Sequence, residues 1–196
     1  MSTIVVVKKN GTAVIAADTR FSSGSTSWDA KYNAAPEKIH RFGDTFIGLV
    51  GSAAHHDVIE SILEKHPGEL SFVNRRHIFE TYLKLHCILK AEFFIRTDED
   101  DKSQPYDSSQ MDGLIANPHG IFGMFSYREV DEYERFWAIG SGKQNALGAL
   151  FASFDRLESA EEIARIAVAA AAEFDQGTSL PLTLYSVKLL ATPTAT

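Results

Sequence analysis

An α+β fold of packed layers is predicted by three features of the chain: apolar runs of strand length, apolar positions recurring at helical spacing, and the order in which the two alternate. Strand-like segments come first, then two helices, further strands, two more helices and a closing strand. With 196 residues and 44% hydrophobic composition, the chain is expected to form a single domain, residues 1–196, with a substantial core.

Each element has a local reason. Ile4 to Val7 and Thr12 to Ala16 flank Asn10-Gly11, and Asn-Gly supplies the positive-φ pair that a tight hairpin turn requires. Thr45 to Val50 reads as a third strand. A helix is expected from about Ala54 to Lys65, where Val58, Ile59, Ile62 and Leu63 share a face and Pro67-Gly68 ends it. A longer helix is expected from Phe72 to about Ile95. Asp98-Glu99-Asp100-Asp101-Lys102 begins a polar loop reaching Ser109, and such acidic runs are ordinarily just solvated. Gly113 to Ala116, Gly120 to Tyr127 and Phe136 to Ile139 are strand-like. Helices follow at Gln144 to Phe154 and Ala160 to Phe174, the second led by the capping box Ser159-Ala160-Glu161-Glu162. Leu182 to Leu190 is the last strand, and Ala191 to Thr196 reads as a loose tail. No internal repeat is visible.

Composition excludes several function classes. A net charge of −7 without a basic patch argues against a nucleic-acid partner. No apolar run approaches the roughly 18 residues that a membrane helix needs, and no signal-peptide pattern precedes Ser2, so a cytoplasmic protein without membrane contact is expected. Cys87, the one cysteine, lies in a helical apolar stretch and reads as a buried structural thiol. His55-His56-Asp57 invites a metal reading, but adjacent helical residues point in different directions, and a solvated pair is expected. No zinc or phosphate-binding motif occurs, so neither metal nor cofactor is indicated.

Chemistry enters at the start of the chain. Removal of Met1 would leave Ser2 N-terminal, with a hydroxyl nucleophile and an α-amino base on one residue. Asp18 follows sixteen residues later, in Ala16-Ala17-Asp18-Thr19-Arg20. Then come Pro36-Glu37-Lys38-Ile39, Ile47-Gly48-Leu49-Val50-Gly51, Ile139-Gly140-Ser141-Gly142 and Asp175-Gln176-Gly177-Thr178. In these ordered motifs the sequence resembles the proteasome β-subunit family from Ser2 to about Val187. Its start is similar to HslV, the peptidase subunit of a bacterial ATP-dependent protease. Its Asp175-x-x-Thr178 is similar to the Asp-x-x-Ser of true proteasome subunits. That mixture resembles the bacterial proteasome-homologue branch.

The resemblance implies a four-layer αββα sandwich of the N-terminal-nucleophile hydrolase type. It also implies roles. Ser2 would attack a peptide carbonyl, standing where the family usually has Thr. Lys38 would tune proton affinities, and Asp18 would hold Lys38 charged and aimed. Lys38 lies about four residues further on than the family lysine, which places an insertion in the polar stretch Ser22 to Asp29; Lys31 is the fallback. Ser141, Asp175 and Thr178 would support the N-terminal amine, and Gly48 would present its N–H to the oxyanion. Phe21, Phe46 and Val50 would wall a shallow apolar substrate pocket, although core packing accounts equally well for Phe46. The competing register, with Thr3 as nucleophile, requires loss of two residues.

The function expected on this basis is a self-compartmentalised, threonine-type endopeptidase acting on unfolded proteins or peptides. The expected assembly is a homo-oligomeric double ring of about 14 subunits, or about 12 as in HslV, with any ATPase unfoldase a separate partner. The alternatives are a catalytically silent ring subunit and an N-terminal-nucleophile amidase for a small molecule.

Overall fold

A computed structural model describes residues 2–96 and 104–191. The acidic run 98–102 and the tail beyond Ala191 lie outside the described residues. Among the described residues, nine of the eleven strands and four α-helices form four layers, in the order helix pair, sheet, sheet, helix pair.

The first sheet has the order β10-β1-β2-β11, all antiparallel: β1 is Thr3–Lys9, β2 Thr12–Asp18, β10 Phe136–Gly140 and β11 Leu182–Lys188. The Asn10-Gly11 turn joins β1 to β2 with φ of 49° and 73°, the double left-handed conformation for which that dipeptide is suited. The second sheet is the meander β5-β6-β7-β8-β9, with β5 Ile39–Phe42, β6 Thr45–Gly51, β7 Met111–Asn117, β8 Gly120–Met124 and β9 Val130–Tyr133. Helices α1 (Ala54–Lys65) and α2 (Arg75–Glu92) connect its strands and cover its outer face. Helices α3 (Lys143–Phe154) and α4 (Ala160–Phe174) do the same for the first sheet.

Strand alternation divides the core into three. Along β1, Val5 and Val7 pack towards α3 and α4, while Ile4 and Val6 point between the sheets. Along β6, Ile47 and Leu49 pack towards α1 and α2, while Phe46 and Val50 belong to the inter-sheet layer. A small hairpin, β3 (Phe21–Ser23) with β4 (Thr26–Trp28), occupies the stretch in which the sequence placed an insertion.

Several expectations need correction. The helix expected from Phe72 starts at Arg75, because Asn74 caps it by accepting from the His77 N–H at 3.0 Å, and Phe72 is buried in the core ahead of it. The strand from Gly120 ends at Met124, where Phe125 to Arg128 turns back with Arg128 at φ 71°. Strands β5 and β9 were not expected. Cys87 is exposed, on the outward side of α2. His55 is buried with its ring Nε2 3.2 Å from the Gln110 carbonyl, and His56 is half-buried, so this pair is not solvated. No helix among the described residues is long and apolar enough to cross a membrane.

Candidate active site

The even-numbered face of β1 carries Ser2, Ile4 and Val6, and the odd-numbered face carries Thr3, Val5 and Val7. Consecutive hydroxyls therefore diverge. Thr3 is fully buried on the helix side, its Oγ1 2.7 Å from Thr178 Oγ1. Ser2 is half-buried at the mouth of a cleft lined by Arg20, Phe21, Ser22, Lys38, Leu49, Val50, Gly51, Ala53 and His56. The side chain that meets the cleft is Ser2, not Thr3.

Asp18 ends β2 beside this point with a completely buried carboxylate. Its Oδ1 accepts from Lys38 Nζ at 2.8 Å and from the Thr3 N–H at 2.9 Å, and its Oδ2 accepts from the N–H groups of Arg20 at 2.9 Å and Ser179 at 3.4 Å. Four donors fix one acid, so β1, the lysine and the segment after α4 share one anchor. Lys38 is itself buried, with only 2% of its side chain exposed, and its ammonium lies 5.4 Å from the Phe21 ring centroid. Desolvation holds the Lys38 pKa below the ordinary lysine value, opposed by the charge and hydrogen bond of Asp18. A lysine in that state can release and recover a proton more readily than one in water. Lys31 instead is exposed and rests over the Tyr32 ring at 5.0 Å.

A second network reaches the Ser2 nitrogen. Ser141 Oγ lies 3.2 Å from that nitrogen, which donates to it, and Ser141 in turn donates to Asp175 Oδ2 at 2.7 Å. Thr178 Oγ1 donates to the same oxygen at 2.6 Å. Asp175 caps the end of α4, and Ser141 sits between β10 and α3, so the two helix-layer termini converge on the start of β1. Gly142 belongs here for steric reasons: a Cβ on it would approach Thr3 Oγ1 to 2.3 Å. Arg20 donates to Asp29 Oδ1 at 3.1 Å and to the Gln176 carbonyl at 2.9 Å. It ties the Asp175–Thr178 turn to Asp29, just beyond the β3–β4 hairpin.

Two expected site residues lie elsewhere. Gly48 is buried between the sheets, where a Cβ would come within 2.8 Å of Ile4 Cγ2; its glycine lets the sheets approach. Gly51, three residues further along β6, lines the cleft instead. Its φ of 139°, with the Gln110 carbonyl 2.8 Å from any added Cβ, restricts the position to glycine. Phe46 packs in the inter-sheet core and stacks on Tyr185 with centroids 4.7 Å apart. Phe21 and Val50 do line the cleft. The wall is also more polar than expected, because Arg20, Ser22 and His56 contribute to it. His56 had a signal in the sequence only as part of the His55-His56 pair.

The geometry has a counterpart in known proteins. The proteasome subunit family model matches residues 1–187. The chain belongs to the proteasome subunit family. Among relatives of this family, the ATP-dependent protease subunit HslV of Caulobacter sp. (strain K31) is 31% identical, the match covering 95% of this chain and 94% of that one. HslV of Roseobacter denitrificans is 29% identical, with 95% and 93% covered. Among solved structures, Thiobacillus denitrificans BPH superposes with a TM-score of 0.90 at 36% identity, covering 97% of this chain and all of that one. The same protein in complex with Epoxomicin gives 0.90 at 35%, with 96% and 100% covered. The eukaryotic HslV from Trypanosoma brucei, at 20% identity and TM-score 0.66 over 95% of this chain and 99% of that one, shares the fold. The layered architecture is thus the N-terminal-nucleophile hydrolase sandwich expected from the sequence, and the chain is a proteasome- and HslV-like peptidase subunit. Membership of this family implies assembly into oligomeric rings.

Proposed function

We propose that the chain is a self-compartmentalised endopeptidase whose nucleophile is Ser2 after removal of Met1. The observation that carries this reading is the convergence of two networks on one residue. Ser141 holds the Ser2 nitrogen, and Lys38, paired with the buried Asp18, lines the cleft that Ser2 meets. Loss of Met1 converts the Ser2 nitrogen from a peptide amide, which cannot take a proton, into an amine, which can.

The reaction then balances within the site. The Ser2 hydroxyl oxygen attacks the scissile carbonyl while its proton passes to the α-amine, and Lys38 beside it stabilises the negative charge that develops. The cleft N–H at Gly51 is the candidate donor to the carbonyl oxygen. Collapse breaks the C–N bond, and the ammonium returns its proton to the departing amine, leaving an ester on Ser2. Water, deprotonated by the same amine, hydrolyses that ester and regenerates the hydroxyl. Ser141, Asp175 and Thr178 hold the amine in position through both halves.

Two sevenfold rings of about 14 subunits are the proposed assembly, with a separate ATPase as the unfolding partner. Phe79 and Leu83 on α2, Phe94 beyond it, Phe151 on α3 and Phe174 at the end of α4 are exposed, and apolar surface on both helix layers supports burial against further copies. Intact-mass measurement on protein made without an N-terminal tag should show loss of one methionine. Hydrolysis of fluorogenic peptides should vanish in Ser2→Ala and survive in Ser2→Thr. Protein that retains Met1 in a host with normal methionine aminopeptidase would overturn the reading in favour of a silent ring subunit.

A further inference from the structure

The histidines at the back of the cleft are not used by the mechanism above. His40 lies on β5, two residues after Lys38, and His56 lies on the first turn of α1. His40 Nε2 and His56 Nδ1 are 3.0 Å apart, one hydrogen bond with a single proton between them. The rings are tilted at a centroid distance of 5.2 Å, and the edge of Phe21 meets His56 at 6.4 Å. Phe21 is in turn stacked on Trp28 at 6.2 Å, so the β3–β4 insertion braces His56 from the other side. A histidine clamped on two sides is a rigid wall.

Of its two nitrogens, Nδ1 is taken by His40. Nε2 has no hydrogen-bond partner among the described residues, and His56 lines the same cleft as Ser2. The other polar side chains of the lining are Ser2, Arg20, Ser22 and Lys38, and no carboxylate is among the lining residues. The acids that pair with the two cations, Asp29 and Asp18, are not among the lining residues. A cation entering the cleft would find no counter-ion there, and an apolar side chain would leave Nε2 without a partner. With the His40 Nε2–H donating to His56 Nδ1, the hydrogen of the neutral His56 ring sits on Nε2, and an oxygen-bearing side chain that accepts it satisfies both conditions.

We infer that His56 is a specificity residue of this cleft, selecting substrates whose residue on the acyl side of the scissile bond carries a hydrogen-bonding oxygen at Gln or Glu length, and that His40 is its positioning residue. The inference rests on the peptidase reading above. Burial keeps both imidazoles below their ordinary pKa, so near neutral pH the pair is uncharged, and Nε2 acts through a hydrogen bond. A binding site built to pair with a polar group rejects an analogue that lacks it, because its own buried group is then unsatisfied.

The test compares kcat/KM on peptides identical except for Gln, Glu, Met, Lys or Ala at that residue. Gln and Met match in length, so their ratio isolates the hydrogen bond. In the wild type Gln should exceed Met by about tenfold, the worth of one hydrogen bond, and Lys should be the poorest. His56→Phe should bring the Gln-to-Met ratio to about one or below. His40→Leu should lower the ratio with Lys38 in place, and His40→Gln, whose amide can still bond Nδ1, should restore it; a merely structural effect would change all substrates together. A wild-type ratio near one overturns the assignment without any variant, as does a ratio unchanged in His56→Phe. If every peptide, including the Ala one, is left intact by the wild type, the peptidase reading itself fails and this inference with it.

Discussion

Removing the acid of the buried ion pair should destabilise the protein more than removing the base. Both side chains are almost wholly buried, 0% exposed for Asp18 and 2% for Lys38. Loss of one partner from such a pair ordinarily costs about 3–5 kcal/mol, because the other charge is stranded. The partners of the two are unequal, however. In Lys38→Met the Asp18 carboxylate keeps the N–H groups of Thr3, Arg20 and Ser179, and methionine fills the lysine's path, so the loss is about one charged hydrogen bond, roughly 2 kcal/mol. In Asp18→Asn one carboxylate oxygen becomes an NH₂ facing two donors, and Lys38 loses the acid it is hydrogen-bonded to; the full cost of about 3–5 kcal/mol applies. For a chain of this size each kcal/mol moves Tm by about 2–4 °C. Thermal unfolding should fall by about 4–8 °C for Lys38→Met and by about 6–20 °C, more than for Lys38→Met, for Asp18→Asn, measured at one subunit concentration because assembly also moves Tm. Peptidase activity should disappear in both. Equal falls, or a larger one for Lys38→Met, would refute the view that Asp18 is anchored chiefly by backbone.

Gly48→Ala should cost about 1–3 kcal/mol by overpacking, since the new methyl would stand 2.8 Å from Ile4 Cγ2, and urea denaturation should show the loss. Phe46→Ala should cost about 3–5 kcal/mol without altering cleavage preference, whereas Phe21→Ala should change KM; the reverse would return Phe46 to the cleft. Burial first, then the charges of His40 and Lys38, push the pKa of His56 down to about 4, below the unfolded value of about 6.5. The unfolded chain therefore binds the extra proton between those values, and stability present above about pH 6.5 is lost as pH falls to about 4, by roughly 2–3 kcal/mol; His56→Gln should flatten that part of a Tm–pH profile.

Features set by neighbours in sequence were legible. The Asn10-Gly11 turn and the Ser159 cap act within a few residues, and both elements stand where expected, with Ser159 Oγ accepting from the Glu162 N–H at 3.2 Å. Lys38 carries no local sign of its partner twenty residues away and is legible only through resemblance to a family. Gly48 and Gly51 lie on one strand, and which of them meets the cleft depends on how the two sheets stack, a contact that no window of sequence contains. Strand β9 escaped notice because Asp131 and Glu132 make it polar, as suits the edge of a sheet. His55 and His56 were expected in water, yet α1 buries the first and leans the second on His40.

The divergence of Ser2 and Thr3 makes the first processing step a matter of parity. Two hydroxyl residues stand in a row, so a chain shortened by one residue too many would still begin with a competent-looking threonine. Its hydroxyl would face the helices, already committed to Thr178, while its nitrogen is held by Asp18 rather than Ser141. A strand turns over at every residue, and nothing in the surrounding sheets can slide to compensate, because β1 is locked on both sides by β2 and β10. If Ser2 is the nucleophile, over-trimming would silence the subunit without unfolding it, and such subunits would pass any test of folding. On the Ser2 reading, trimming that stops after one residue is therefore as much a condition of activity as the side chains around the cleft.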